Sequence, residues 1–318
     1  MNLPTTLARF ARTTCGWFAL ALAITTTSAA AASEPSIAAP RSSKVEWRDE
    51  WPRFTAWEGA ATVAGTVGVY IAERRLPDPD YARITFEVPL LDSGVRFLLR
   101  GRTANIQRGF QRYSDIGFRM MAFFPYVVDD LIAALAIHRN PDVAAQLFLI
   151  DIQALTLSGA TQLLLSRAFA RERPYVQDCV DGKTFTRTCG TNNDFKSFYS
   201  GHAAGAFTSA GLVCLHHQHL PLFGGGPMDA WACTWALGVA TLTGIGRIVY
   251  DAHYATDVIA GAGIGWFYGY VMPKLLHFRN GKLVTGERTR LRATLERFTP
   301  SFVPTMDGGG VLSVAGVF

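Results

Sequence analysis

Long apolar segments with helical periodicity constrain the fold of this chain more than any other feature. Six such segments follow one another in the 318 residues: 56–74, 114–138, 142–171, 201–218, 228–248 and 252–275. Apolar segments of this length, most of them joined by short turns, are typical of helices that pack side by side. We therefore predict an all-α fold, a bundle of about six helices with the functional site at the helix ends.

Two long loops and a C-terminal tail accompany the predicted helical domain, which spans residues 56–275. The first loop, residues 76–112, carries prolines and arginines, and the second, residues 174–199, lies between two of the motifs described below. Loops longer than ~15 residues in a compact domain are usually functional or disordered, so we expect the second loop to shape the mouth of the site. Residues 276–318 form a basic tail, and the weak alternation over residues 300–318 predicts a small hairpin.

The N-terminus has the residue order of a secretory signal peptide. Two arginines precede an apolar run at residues 17–24, and the small-residue run Ser28–Ala32 follows. We predict a signal peptide over residues 1–32 and a linker over residues 33–55, so that the protein lies in the periplasm or another extracytoplasmic compartment. The alternative is an uncleaved membrane anchor, although the apolar run is shorter than the ~20 residues that a membrane span needs.

The composition alone does not decide whether the helices cross a membrane. Hydrophobic residues make up 49% of the chain and charged residues 17%, yet the mean hydropathy is only +0.16. Charged side chains within the apolar segments argue against spanning: Asp115, Arg119, Asp129, Asp130 and Asp151. They favour a periplasmic protein that rests on the membrane or lies partly within it. The alternative is an inner-membrane multi-pass protein with its site facing outward.

Cysteine positions predict one disulfide bond. Cys179 and Cys189 flank a polar loop, and in an oxidising compartment a bond between them would contribute roughly 3 kcal/mol at most. Cys214 and Cys233 lie in apolar helical patterns and are expected to be core residues. The net charge of +5 is concentrated after the last helix, which suits a solvated face or anionic lipid head groups, and no nucleic-acid module accompanies it.

Two polar groups consist of residue types that bind metal ions. We expect Asp129 and Asp130 to make a polar contact or to lie on a solvated turn. His216, His217 and His219 are expected to lie in a short polar connection, with metal binding as the weaker alternative. We therefore predict no metal site.

The first candidate site motif is the end of a predicted helix, Arg171-Glu172-Arg173-Pro174. Because Pro174 cannot continue the helix, it directs Arg173 outward. A guanidinium binds phosphate oxygens through two parallel hydrogen bonds, which makes Arg173 a candidate phosphate ligand. The alternative is a basic helix terminus that the helix dipole favours.

The second motif, Ser200-Gly201-His202, precedes an Ala- and Gly-rich helical run. Backbone N–H groups at a helix start bind anions, Gly201 allows close approach, and the Ser200 hydroxyl adds a donor. His202 would then face the leaving group. The alternative is an N-cap serine followed by a partly exposed histidine.

The third motif consists of Arg247, His253 and Asp257. A spacing of four residues would place His253 and Asp257 on one helix face, where the carboxylate accepts the proton of one ring nitrogen and leaves the other nucleophilic. A lone histidine on an apolar helix is usually a core residue. The three motifs, in order and at helix ends, instead indicate a site that holds a phosphoryl group while a histidine attacks it.

Together the motifs resemble those of the type 2 phosphatidic acid phosphatase and vanadium haloperoxidase superfamily. That family has a lysine seven residues before Arg-Pro, then Pro-Ser-Gly-His, then Ser-Arg with a histidine six residues on and an aspartate four beyond it. The resemblance covers residues 114–275 and implies His253 as the nucleophile, Asp257 as its orienting carboxylate and His202 as the general acid. It also implies a phosphate-binding shell: Arg173, Arg247, Ser200 and Gly201.

This chain departs from the family pattern at three positions. Ser166 stands at the lysine position, Tyr199 at the proline and Gly246 at the serine. The last two leave backbone roles intact, but the first removes a cation near the phosphate and with it some transition-state stabilisation. We expect activity to survive, and three nearby residues are candidates to restore the charge: Arg167, Arg171 and Lys196.

The resemblance implies a metal-independent phosphatase that hydrolyses phosphate monoesters, lipid phosphates or lipid diphosphates through a phosphohistidine. No cofactor is expected, and vanadate would act as an inhibitor or transition-state mimic. The partners expected are a phosphorylated lipid or small phosphomonoester and the membrane surface, without nucleic acid. Two alternatives stay open: a vanadate-dependent haloperoxidase, and a non-catalytic membrane-associated relative.

Overall fold

Helices make up most of the described part of the chain. The computed structural model describes residues 44–84, 87–180, 189–191 and 193–279, together with the backbone of two C-terminal strands. Its helices α1 to α9 are Ala56–Arg75, Gly94–Leu99, Ala104–Phe124, Pro141–Phe169, Val176–Val180, Gly201–His219, Pro227–Val249, Ala255–Trp266 and Met272–Leu276. Three π-helical stretches adjoin α2, α3 and α8: Pro89–Ser93, Pro125–Ile137 and Phe267–Val271. The all-α prediction is confirmed.

The six predicted helices all correspond to observed helical stretches, but the number of helices and some ends differ. The second stretch begins at Ala104 rather than at residue 114, because Thr103 caps it by accepting a backbone N–H from the first turn. The predicted loop 76–112 contains the short helix α2, and the loop 174–199 contains α5. These short helices lack the length that makes a helical pattern visible in a sequence.

Helix α6 lies at the centre of the bundle, and three glycines let α8 approach it closely. Gly261, Gly265 and Gly269 lie one turn apart on α8 and its π-helical extension, and a Cβ atom at any of them would collide with the α6 backbone. Small residues at this spacing allow two helix backbones to pack in contact. The two helices therefore start side by side, and the Ser200 N–H donates to the Asp257 carbonyl at 3.0 Å.

The bundle has two ends, which we call the site end and the distal end. The site end holds the ends of α4 and α7 and the starts of α6 and α8, and the distal end holds the opposite ends of these helices. Trp47 and Trp51, which precede α1, are buried against Phe278 near the distal end of α6. The described part of the predicted linker, residues 44–55, thus contributes to the core.

Three helical stretches are long and apolar enough to cross a membrane: Ala104–Ile137, Pro141–Phe169 and Pro227–Val249. Three of the acidic residues that argued against spanning do not face outward. Asp129, Asp130 and Asp151 are all buried inside the bundle, where they avoid contact with lipid. These stretches favour the multi-pass alternative over a protein that rests on the membrane.

Two disulfide bonds join cysteines of the described residues. Cys179 and Cys189 are bonded, as predicted, with Cα atoms 5.9 Å apart. Cys214 and Cys233 are also bonded, with Cα atoms 4.3 Å apart. Cys214 is buried, but the prediction that this pair consists only of core residues was wrong, because α6 and α7 pack side by side and bring the two sulfurs together.

A two-stranded antiparallel sheet near the C-terminus confirms the predicted hairpin. Strand β1, Phe298–Pro304, pairs with strand β2, Gly310–Gly316, so that the first residue of β1 lies opposite the last of β2. The predicted signal peptide, residues 1–32, and residues 280–297 of the basic tail lie outside the described residues.

Candidate active site

Arg173 and His253 face each other at the site end of the bundle. Arg173 follows α4 and His253 lies between α7 and α8, 80 residues later, yet Nη1 of the arginine is 3.4 Å from Nε2 of the histidine. Backbone carbonyls fix the guanidinium, because Nη1 donates to Ala252 at 3.2 Å and Nε donates to Asn193 at 2.8 Å. The loop after α4 thus holds a permanent cation beside an imidazole.

A backbone carbonyl, rather than Asp257, orients the His253 ring. The ring Nδ1 lies 2.8 Å from the Ser197 carbonyl oxygen, to which Nδ1–H donates. The Asp257 carboxylate is 3.9 Å from the same nitrogen, beyond hydrogen-bond distance. The prediction that His253 and Asp257 share one helix face was wrong, because α8 begins at Ala255, after His253. With its proton on Nδ1, the ring keeps a lone pair on Nε2, the form that a nucleophile needs.

Asp257 instead fixes the segment that carries this carbonyl. Its carboxylate accepts hydrogen bonds from the Ser197 hydroxyl at 2.6 Å and the Tyr254 N–H at 2.9 Å. It also pairs with Arg171 at 2.5 Å, and Arg171 pairs in turn with Asp92 at 2.8 Å. Both carboxylates and the guanidinium are buried, and the guanidinium offsets part of the negative charge of the two carboxylates. Asp257 therefore positions His253 indirectly.

Ser200 and Gly201 form the start of α6 at the same end. Ser200 is the N-cap residue, and its hydroxyl accepts the Ala203 N–H at 3.4 Å. A Cβ atom on Gly201 would lie 3.1 Å from the side chain of Gln162, so a larger residue would crowd α4. The N–H groups in the first turn of a helix have no partner within the helix, and they attract anions.

Asp115 on α3 joins His202 to Arg247. One of its carboxylate oxygens lies 2.9 Å from Nε2 of His202 and 3.1 Å from Nη1 of Arg247. Arg247 also donates to the Ser114 hydroxyl at 3.3 Å, and the His202 ring packs against Phe118. Asp115 was not predicted to belong to the site, because in the sequence it is one charge in an apolar segment.

Electrostatic interactions connect the two histidines to both arginines. Burial and the charges of Arg173 and Arg247 together lower the pKa of His253 to about 3, against the opposing effect of Asp257. Burial and Arg247 lower the pKa of His202 to about 4, with Arg173 acting in the same direction. Both imidazoles are therefore neutral near pH 7, and the two guanidinium groups leave the site positive.

The family pattern has a lysine where this chain has Ser166, and the three basic residues that could replace its charge are bound elsewhere. Arg167 and Lys196 both pair with Asp78, at 3.0 Å and 2.6 Å. Arg171 is engaged by the two buried carboxylates described above. Ser166 itself is buried and its hydroxyl donates to a backbone carbonyl. Among the described residues of the three motifs, Arg173 and Arg247 therefore supply the positive charge that could meet a phosphate.

A mostly apolar cavity of about 580 Å³ extends from the second motif along the bundle. It begins at Gly201 and His202 and lies between α3 and α4, both of which belong to candidate membrane spans. Its apolar wall includes Phe118, Phe123, Tyr126, Leu155 and Leu163. The polar site is thus continuous with an apolar space on the side of the bundle.

Parts of the chain are similar to known proteins. Residues 148–280 match the family model of the PAP2 superfamily. A stretch of 73 residues is 38% identical to the lipid A 1-phosphatase of Porphyromonas gingivalis, and it covers 23% of this chain and 15% of that relative's length. The crystal structure of a transmembrane PAP2-type phosphatidylglycerolphosphate phosphatase from Bacillus subtilis is similar at a TM-score of 0.44 and 17% identity, covering 67% of this chain and 94% of that chain.

The match to the PAP2 superfamily model covers 133 of the 318 residues, so the similarity to this family extends over less than half of the chain. Its three long apolar helical stretches favour a membrane protein.

Proposed function

We propose that the protein is a phosphatase that cleaves the phosphoester bond of a lipid phosphate through a covalent phosphohistidine on His253. The observation that supports this proposal most directly is the 3.4 Å distance between Arg173 Nη1 and Nε2 of a neutral, oriented His253. A phosphate bound to that guanidinium lies next to a nitrogen lone pair. The match of residues 148–280 to the PAP2 superfamily model supports the same reaction class.

In the first step, Nε2 of His253 donates its lone pair to phosphorus while the bond between phosphorus and the leaving oxygen breaks. Arg173, Arg247 and the N–H groups at the start of α6 hold the non-bridging oxygens. His202 donates a proton to the leaving oxygen, so an alcohol departs rather than an alkoxide. The pKa of His202 is low before substrate binds, and the negative charge of the phosphate raises it.

In the second step, water attacks the phosphohistidine. His202, now neutral, accepts a proton from the water, the bond between phosphorus and Nε2 breaks, and the electron pair returns to the ring. The products are an alcohol and inorganic phosphate. Guanidinium groups and backbone donors stabilise the charge in both steps, in keeping with the metal-independent chemistry of the PAP2 family.

The cavity next to His202 supports a lipid substrate. Its apolar wall lies between two candidate membrane spans, so an acyl chain can occupy it while the phosphate lies between the arginines. A soluble phosphomonoester would leave that surface exposed to water. The short match to a lipid A 1-phosphatase supports the same substrate class.

We place the active site outside the cytoplasm. The disulfide bond between Cys179 and Cys189 lies in the loop that follows Arg173, and such bonds persist in oxidising compartments. The predicted signal peptide supports the same location. A Tyr81→Cys variant tests it, because this exposed residue lies near the site end. A membrane-impermeant maleimide should label the variant in intact cells, and labelling only after lysis would contradict this orientation.

Phosphate release and intermediate trapping test the proposed reaction. The full-length protein in detergent should release phosphate from phosphatidate and from lipid A faster than from p-nitrophenyl phosphate. Release should persist when EDTA is added and stop with vanadate. Labelled substrate should leave phosphate on the wild-type protein in a form that alkali preserves and acid removes, and His253→Gln should abolish this label.

Two outcomes would replace this proposal. Bromide oxidation with added vanadate and peroxide, without phosphate release, would indicate a haloperoxidase. Phosphate-lipid binding without either reaction would indicate a non-catalytic relative.

A further inference from the structure

A second group of buried histidine and aspartate side chains lies toward the distal end of the bundle. Asp130 from the π-helical stretch after α3, Asp151 from α4 and His216 from α6 each offer a ligand atom, and these atoms all lie within 4.8 Å of one another. Asp130 is 3% exposed, and the other two are fully buried. With a rise of about 1.5 Å per residue along α6, His216 lies about 21 Å from His202, so the group is separate from the active site.

Two carboxylates in this group lack hydrogen bonds. Within the described residues, neither oxygen of Asp130 and neither oxygen of Asp151 has a hydrogen-bond partner, and Nε2 of His216 has none either. This nitrogen lies 3.2 Å from an oxygen of Asp151, at ion-pair distance but without hydrogen-bond alignment. Burial of a carboxylate without compensation costs several kcal/mol, and two adjacent carboxylates also repel each other. A cation between them would remove both costs.

A chain of side chains orients His216 from the opposite side of its ring. Its Nδ1 lies 3.3 Å from Asp129, whose other oxygen lies 3.3 Å from Nε2 of His217. Nδ1 of His217 lies 2.6 Å from Asp229, which also accepts two backbone N–H groups. A histidine that binds a metal ion commonly donates its other ring N–H to a carboxylate in this way. The chain directs the remaining nitrogen, Nε2, toward the two carboxylates.

A cavity of about 540 Å³ reaches the outer end of this chain. His217 and Asp229 line it, together with Lys274 near the C-terminal end of the bundle. The outer end of the chain of histidine and aspartate side chains is therefore open to this cavity.

We propose that Asp130, Asp151 and His216 bind one divalent transition-metal ion, with Zn²⁺ as the best match to the ligand types. One imidazole nitrogen and two carboxylate oxygens suit Zn²⁺, whereas Ca²⁺ and Mg²⁺ prefer oxygen ligands alone. The ion joins three helical stretches inside the bundle. It is structural and takes no part in phosphate hydrolysis, which stays independent of metal.

Metal analysis of the purified full-length protein in detergent tests the site. After incubation with Zn²⁺ and removal of unbound ions, the wild type should retain about one zinc per chain, and Asp151→Asn should retain at least ~10-fold less. Asp142→Asn is the matched control, because Asp142 lies on the same helix with half of its side chain exposed, and it should retain the wild-type amount. EDTA should lower the thermal midpoint of the wild type, and Zn²⁺ should restore it.

The wild-type measurements decide the proposal even if Asp151→Asn does not fold. A wild type that retains no divalent metal, and whose thermal midpoint responds to neither EDTA nor Zn²⁺, would overturn it. Equal zinc content in the wild type and a folded Asp151→Asn variant would also overturn it. Phosphate release measured directly after EDTA addition reports on the active site alone, so failure of one proposal leaves the other testable.

Discussion

The two ends of the bundle contain the same residue types, histidine and aspartate, with opposite charge balance. At the site end, two arginines accompany neutral imidazoles, and the carboxylates there are paired with guanidinium groups. Toward the distal end, His216 and His217 accompany four buried aspartates: Asp129, Asp130, Asp151 and Asp229. A pair of histidine and aspartate therefore does not reveal its ligand. The net charge of the surrounding residues reveals it, because excess arginine favours an anion at the site end and excess aspartate favours a cation at the distal end.

Replacement of one histidine at each end should produce the largest difference in catalytic activity between variants of the two ends. His253→Gln is expected to reduce kcat/KM for phosphatidate by about 10⁴-fold or more, because the bond between phosphorus and nitrogen can no longer form. His138→Gln is the control, since His138 also contacts a backbone carbonyl but lies at the distal end. Similar losses in both variants would mean that His253 has only a structural role.

Replacement of Arg171 tests whether the stability of the protein depends on the buried guanidinium at the site end. Arg171→Met leaves Asp92 and Asp257 buried without their cation, so the free energy of unfolding should fall by about 3–5 kcal/mol. Arg53→Met removes an exposed ion pair and should leave the thermal midpoint nearly unchanged. Chemical unfolding in mixed micelles measures both variants. Equal stability of the two would show that the buried network is not needed for folding.

Asp115→Asn tests how the carboxylate between His202 and Arg247 acts. The charge of Asp115 raises the pKa of His202 against burial, so its removal should lower that pKa further. A general acid with a lower pKa loses its proton at lower pH, so kcat/KM should begin to fall at a more acidic pH than in the wild type. At neutral pH the loss should be about 10-fold. A loss of activity without any shift of the pH profile would mean that Asp115 only positions the two side chains.

The smallest expected effect concerns the apolar cavity. Gly159 lines it with open space beside the backbone, so Gly159→Leu places an isobutyl group where an acyl chain would lie. We expect kcat/KM for phosphatidate to fall about 5-fold and that for p-nitrophenyl phosphate to stay unchanged. Gly238→Leu, at an exposed glycine of α7 with similar open space, is the control. An equal fall of kcat/KM for both substrates would mean that the cavity does not bind the acyl chain.

Local features of this protein could be predicted from its sequence, because each depends on residues close together in the chain. The long helices follow from apolar periodicity, and Ser200 was recognised as a potential N-cap from its place before a helical run. The bond between Cys179 and Cys189 follows from two cysteines that flank one loop. Arg173 and His253 were named from motif spacing, and the structure brings them together.

Features that depend on packing between distant segments could not be predicted. The sequence does not show that the Ser197 carbonyl, rather than Asp257, receives the ring proton of His253, because this depends on how the loop folds over α8. It also does not show on which face of an apolar helix an acidic residue lies. Asp115 and Asp130 therefore looked alike, although one contacts the active site and the other faces the distal group.

The close packing of α8 on α6 limits how this active site can adapt. His202 begins one of these helices and His253 precedes the other, so their separation depends on three positions without side chains: Gly261, Gly265 and Gly269. Sliding α8 by one residue, about 1.5 Å, would press a side chain into the α6 backbone. The protein therefore cannot widen its site for a bulkier head group by shifting one helix along the other. A side chain at any of the three glycines would push α8 away from α6 and change the distance between the two histidines.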